Sequence, residues 1–85
     1  ATVYDFSYYV ANNPDVYRAY GNDDVAVLQH FVNYGMQEGR RACAEFFVQT
    51  YRANYADLQR AYRNDWKAYY MHYINYGVRE GRRGV

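Results

Sequence analysis

Apolar positions along this chain recur at helical intervals, and no stretch alternates cleanly with period two over five or more residues. That pattern predicts helices and no strand. Val25, Leu28, Val32 and Gly35 fall at i, i+3, i+7 and i+10, and Phe31 widens the stripe. The spacing predicts a helix ending at Tyr34 with that face buried. Asp5 has the side chain of an N-cap, which predicts an earlier helix over about residues 5–12. Pro14 suits a first helical position, so a second helix runs from it and stops at Gly21. Asn22, Asp23 or Asp24 then caps the third. Gly35 is read as a left-handed stop after it. Glu38-Gly39-Arg40-Arg41 comes next as a turn in which Gly39, like Gly81 later, takes a conformation that a Cβ penalises. Glu38 is placed to pair with Arg40 or with an arginine of a neighbouring helix.

The plan is written twice. Shifted by 42 positions, residues 1–43 match residues 43–85 without a gap, and 18 pairs are identical. Asn33-Tyr34-Gly35 and Glu38-Gly39-Arg40-Arg41 return as Asn75-Tyr76-Gly77 and Glu80-Gly81-Arg82-Arg83. A period in this range signals stacked structural units. The second copy predicts helices near residues 45–54, 56–62 and 65–76. Phe47 replaces the Asp5 cap there, so the first of these is expected to start early, near Glu45. The fold class expected is therefore all-α: two tandem three-helix repeats, residues 1–42 and 43–85, packed as one small helical domain.

Composition sharpens this. A chain of 85 residues buries roughly 60–65% of the surface its unfolded form exposes, so the core is thin. Thirteen Tyr, four Phe and one Trp supply material to fill it. Aromatics that pair across the copies are assigned to that core: Tyr4/Phe46, Tyr9/Tyr51, Tyr20/Tyr62, Phe31/Tyr73 and Tyr34/Tyr76. A net charge of +1 creates no field to recruit nucleic acid or an acidic membrane. Cys43 is the one cysteine, so no internal disulfide forms. It is read as a small residue at the junction of the copies. No run of about 18 apolar residues is present, so no membrane insertion is expected. The abrupt start and finish read as those of a piece of something longer.

Reactive groups are scarce: one Ser (Ser7), one Cys, one Lys (Lys67) and two His. No nucleophile elbow, phosphate-binding loop or His-Glu-x-x-His occurs. His30 and His72 occupy the same place in the two copies, which points to a structural role in each. With Cys43 they lie 13 or more residues apart and do not make a zinc set. Asn22-Asp23-Asp24 lacks the alternating oxygens and closing Glu of a calcium loop. The chain is expected not to be an enzyme and to carry no cofactor or metal.

With these residues in view, the chain resembles a bacterial tandem-repeat module. The likeness rests on Tyr4-Asp5, Tyr8-Tyr9, Asn13-Pro14-Asp15-Val16 and the segment from His30 through Tyr34-Gly35 to Glu38-Gly39-Arg40. In the second copy it rests on Phe46, Tyr51, Tyr55-Ala56-Asp57-Leu58 and His72 through Glu80-Gly81-Arg82. The resemblance implies an accessory part of a secreted or cell-surface protein, hence an extracellular location. The expected function is a non-catalytic binding module that presents Tyr, Trp and Arg to a cell-wall or other polysaccharide. A protein–protein interaction scaffold or structural spacer is the alternative. Candidate ligand-binding residues are the aromatics unpaired across the copies, Trp66, Tyr69, Tyr55 and Tyr17, together with Arg41 and Arg83. The expected partner is a glycan or cell-wall polymer, with a protein partner as second choice.

Overall fold

The computed structural model describes residues 3–85. Helices α1 (Phe6–Asn12), α2 (Pro14–Tyr20) and α3 (Asp24–His30) lead into a π-helical turn, Phe31–Gly35. Helices α4 (Val48–Asn54), α5 (Ala56–Tyr62) and α6 (Trp66–His72) lead into a second π turn, Tyr73–Gly77, and the short α7 (Val78–Glu80). The bounds of α4, α5, α6 and the second π turn are those of α1, α2, α3 and the first, each displaced by 42. The fold is all-α, with no strand among the described residues. Among the described residues no helix is long and apolar enough to cross a membrane.

Local chemistry sets most boundaries. Asp5 accepts from Tyr8 N–H at 3.3 Å and caps α1. Pro14 opens α2. Asp23 accepts from Ala26 N–H at 3.2 Å, and Asp65 from Ala68 N–H at 3.3 Å, so of Asn22, Asp23 and Asp24 the middle residue is the cap. Phe47 offers no such side chain, and α4 starts at Val48 rather than near Glu45. The bare peptide amide of Phe47 instead donates to Gly84 O at 2.8 Å, as Asp5 N–H does to Ala42 O at 2.8 Å. That backbone clamp fixes the entry to the helix whether or not a cap is present.

Gly35 is not the left-handed stop that the spacing suggests. It lies inside the π turn, and Met36 beyond it is still helical at φ −60°. Termination falls at Gly39 and Gly81, with φ 72° and 71°. Arg40 N–H reaches back to Gly35 O at 2.9 Å and Gly39 N–H to Met36 O at 3.1 Å, which together close a Schellman motif. Gly35 is required for another reason. A Cβ there would stand 2.3 Å from the Tyr9 hydroxyl, and one at Gly77 would stand 2.3 Å from that of Tyr51. Each long helix takes its π turn where α1 or α4 pushes a tyrosine hydroxyl against it.

The core is a run of buried rings. Tyr9 meets Phe31 edge-on at 5.2 Å, and Tyr51 meets Tyr73 edge-on at 5.1 Å. Tyr70 joins the halves, edge-on to Phe31 at 5.4 Å and 5.1 Å from Phe46. Such pairs add about 0.5–1.5 kcal/mol each beyond the area they bury.

Helix α3 presents a different face to this core from the one its spacing predicts. Val27, Phe31 and Gly35 are buried, whereas Val25, Leu28 and Val32 are exposed. The helix carries two apolar stripes, and the tyrosine of α1 selects the one that ends in a glycine. Among the aromatics assigned to the core, Tyr20, Tyr34 and Tyr76 are exposed, while Tyr4, Tyr62 and Tyr73 are half-buried.

Two substitutions test this account by urea unfolding. Gly35→Ala is expected to cost about 1–3 kcal/mol, because the new methyl overlaps a buried hydroxyl that has nowhere to go. Arg63 occupies the place of Gly21 and holds φ 54°, the one positive φ of a non-glycine residue among the described residues. Arg63→Gly is expected to stabilise by about 1 kcal/mol.

Candidate functional site

Burial of Tyr9 and Tyr51 pushes both phenols well above the usual tyrosine range, so they remain protonated. Each hydroxyl lies 2.9 Å from a histidine Nδ1, of His30 and His72 respectively. The hydroxyl proton has no other acceptor among the described residues, so it goes to Nδ1. A neutral imidazole that accepts at Nδ1 carries its own proton on Nε2. The histidines thus hold a structural bond, as their recurrence implies, each to a tyrosine of α1 or α4. Their Nε2 has no partner among the described residues, and both rings are only partly buried.

Two tyrosines flank each of these rings. Tyr20, at the end of α2, lies 5.9 Å from His30, and Tyr34, in the π turn, lies 5.7 Å from it. Tyr62 and Tyr76 stand at 6.0 Å and 5.6 Å from His72. Tyr34 is 58% exposed and Tyr76 54%, the most open rings in the structure's described part. Each half therefore sets a strip of two phenol rings around a partly buried imidazole, both exposed in the first half, and in the second Tyr76 exposed and Tyr62 half-buried. At the second strip the guanidinium of Arg79 lies 6.0 Å from the Tyr76 ring, a further donor. The sequence pairing that assigns these tyrosines to the core hides this. A residue repeated in every unit is repeated whether the unit uses it inside or outside.

A bracket of charges holds the strip in place. The Arg40 guanidinium makes two parallel bonds to Asp15 at 2.9 and 2.8 Å, and its Nε donates to Glu38 at 2.6 Å. It also reaches Asn13 Oδ1 at 3.0 Å. Arg82 repeats the arrangement with Asp57 at 3.2 and 3.0 Å and Glu80 at 2.8 Å. Each bracket ties the corner after the long helix to the first turn of the second helix. The bidentate fork is a geometry that lysine does not reproduce.

Of the residues that sequence reasoning nominated, two pairs are brought together, Trp66 with Tyr69 at 6.0 Å and Tyr55 with Arg83, but Tyr69 is buried in the first and Tyr55 half-buried in the second. Trp66 is half-buried over Gly39, where a Cβ would meet its ring at 3.3 Å. Tyr69 is fully buried and donates its hydroxyl to Arg63 O, so it shows no face to a ligand and is withdrawn as a binding residue. Its ring packs edge-on to Tyr62 at 5.5 Å, which is why lack of a partner across the copies does not mean exposure. Tyr55 is half-buried beneath Arg82 at 4.7 Å, and its hydroxyl accepts from Arg83 N–H at 2.6 Å. Tyr17 is 47% exposed but stands in no ring cluster among the described residues. Arg41 is pinned, donating to Cys43 O and Ala44 O at 3.1 and 2.8 Å beneath the Phe47 ring at 4.9 Å. Arg83 is exposed. No family model, curated protein or solved structure matches the chain.

The bracket gives a pH prediction. The hydrogen bonds from Arg40 hold the Asp15 carboxyl at about 2, below its ordinary 3.8, and Arg82 lowers Asp57 in the same direction. A depressed carboxylate stabilises the fold above its unfolded value, and that contribution is lost as pH falls from about 4 through about 2. Thermal unfolding midpoints should drop across that window in the parent. They should drop less in Asp15→Asn, which starts lower at neutral pH. Both carboxylates are exposed, so salt should shrink the difference.

Proposed function

We propose that this chain is a non-catalytic binding module of a bacterial secreted or cell-surface protein and that it takes a polysaccharide, with cell-wall polymer as the leading substrate class. The observation that carries this reading is the Tyr-His-Tyr strip, present once in each half. A phenol ring offers an apolar face to the C–H side of a sugar and a hydroxyl at its rim. The imidazole N–H between two such rings supplies a directional donor to a sugar hydroxyl. The tyrosine partner of Nδ1 fixes the ring and selects the tautomer that donates outward. Nothing in the strip activates a nucleophile, because the only polar group bonded to each histidine's Nδ1 among the described residues is a phenol held protonated by burial. The resemblance to bacterial surface repeats agrees with this role.

Each strip alone is a weak site, and two on one chain strengthen one another on a polymer whose units repeat. Retention on purified bacterial cell walls and insoluble polysaccharides, measured across a concentration series, tests the proposal. Tyr34→Ala and Tyr76→Ala should each weaken retention about tenfold, equivalent to about 1.4 kcal/mol. The double variant should elute with the unretained fraction while keeping its helical circular dichroism, since both side chains are exposed. Full retention of the double variant, or passage of the parent through every matrix, would sink the glycan reading.

A further inference from the structure

The junction between the two halves also specifies what each outer end would accept. At that junction the second half docks on the first through α6. Tyr70 packs on Phe31 at 5.4 Å and donates its hydroxyl to Arg40 O. Lys67 Nζ donates to Val32 O at 3.2 Å, and Gln49 Nε2 to Gly39 O at 2.7 Å. The docking surface of the second half is thus the outward stripe of α6, and its receiving surface on the first half is the π turn and the glycine corner.

Each surface has a counterpart 42 positions away that is left open. The counterparts of Lys67 and Tyr70 are Val25, 62% exposed, and Leu28, 42% exposed, where Tyr70 itself is fully buried. Leu28 and Val32 line an apolar groove of about 330 Å³ beside this stripe, together with Phe31, Met36 and Ile74. At the opposite end Gly81 is open where Gly39 is buried. Val78 is 45% exposed where Met36 is 5%. One end therefore lacks a receiver for a docking stripe, and the other lacks a stripe for its receiver.

We infer that the Val25–Leu28 face of one molecule takes the Tyr73–Val78–Gly81 corner of a second copy, in the manner of the internal junction. Charge favours that occupant. At the internal junction Arg41 lies over Phe47, the residue ahead of α4. The corresponding pair between copies is Arg83 and Asp5, an exposed cation and an exposed carboxylate. Apolar residues replace Lys67 and Tyr70 in the open stripe, so the contact between copies rests on burial of the groove more than on carbonyl hydrogen bonds. The contact is head-to-tail, and such an interface extends rather than closing as a two-fold pair.

Sedimentation velocity from about 1 μM to about 1 mM, the range of weak specific association, tests this. The parent should sediment faster with concentration and pass beyond the dimer. Leu28→Glu spoils the stripe and Val78→Glu the corner, so each variant alone should remain monomeric. Mixed together they should form a one-to-one dimer and nothing larger, since each keeps the surface that the other has lost. Val25→Glu, at a more exposed position, substitutes for Leu28→Glu if the latter loses its helical circular dichroism. A parent that stays monomeric throughout overturns the inference. So does association that survives either substitution, or a mixture that fails to pair.

Discussion

A tyrosine hydroxyl stands where any side chain at position 35 would have to be, and most of the architecture depends on that. The hydroxyl is buried and must be bonded, so an acceptor has to come to it. His30 brings Nδ1 from one turn upstream. The long helix can approach so closely only with glycine at the point of contact, and it widens there into an i→i+5 turn, Met36 N–H to Phe31 O at 2.8 Å. One residue inserted into a helical turn rotates the downstream segment by about 100°. That rotation helps set where Gly39 ends the helix and hence where Arg40 emerges, opposite Asp15. The same chain of consequences runs from Tyr51 through His72 and Gly77 to Arg82 and Asp57.

The solvent-facing chemistry is a by-product of this inside-facing one. Once Nδ1 is committed to a buried phenol, Nε2 is left to donate outward. Once Phe31 turns in toward Tyr9, its neighbours in the π turn turn out, and Tyr34 goes with them. The proposed sugar platform is therefore the outer surface of the packing that holds each unit closed. Its rings sit on helices whose relative positions are fixed by a bidentate arginine, so little ordering remains to be done when a ligand arrives.

Features governed by near neighbours in the chain were legible from the sequence. Asp5, Pro14, Asp23 and Gly39 act through bonds within one turn, and each does what its chemistry implies. The all-α class comes directly from periodicity. Features that depend on which surface meets which were not legible. Two apolar stripes on α3 satisfy the same helical spacing, and only the approach of Tyr9 decides between them. Asp15 and Arg40 are 25 residues apart, so nothing in the local sequence marks that carboxylate as an anchor. Tyr69 and Tyr34 stand in each other's expected surroundings for one reason: recurrence across the copies marks a shared job, and burial is only one kind of job.

Where the two halves differ is as informative as where they agree. The hydroxyl, histidine, glycine and ion-pair residues of the internal closure are identical in both, Tyr9/Tyr51, His30/His72, Gly35/Gly77, Arg40/Arg82 and Asp15/Asp57, while Phe31 becomes Tyr73 and Asn13 becomes Tyr55. The residues of the second half that touch the first are not. Gln49, Trp66, Lys67 and Tyr70 stand where the first half has Ser7, Asp24, Val25 and Leu28. Closure poses the same steric problem in each unit and has one solution. The outward stripe meets different surroundings in each: in α6 it reaches backbone carbonyls through a lysine and a tyrosine, and in α3, after Asp24, those two places hold short apolar side chains. A stripe meant for permanent solvent would have no use for valine at position 25 and leucine at position 28, and lysine at 67 shows that the same place tolerates a charge. The choice of apolar residues at the open end is best explained by burial against a corner that the chain itself already displays at its other end.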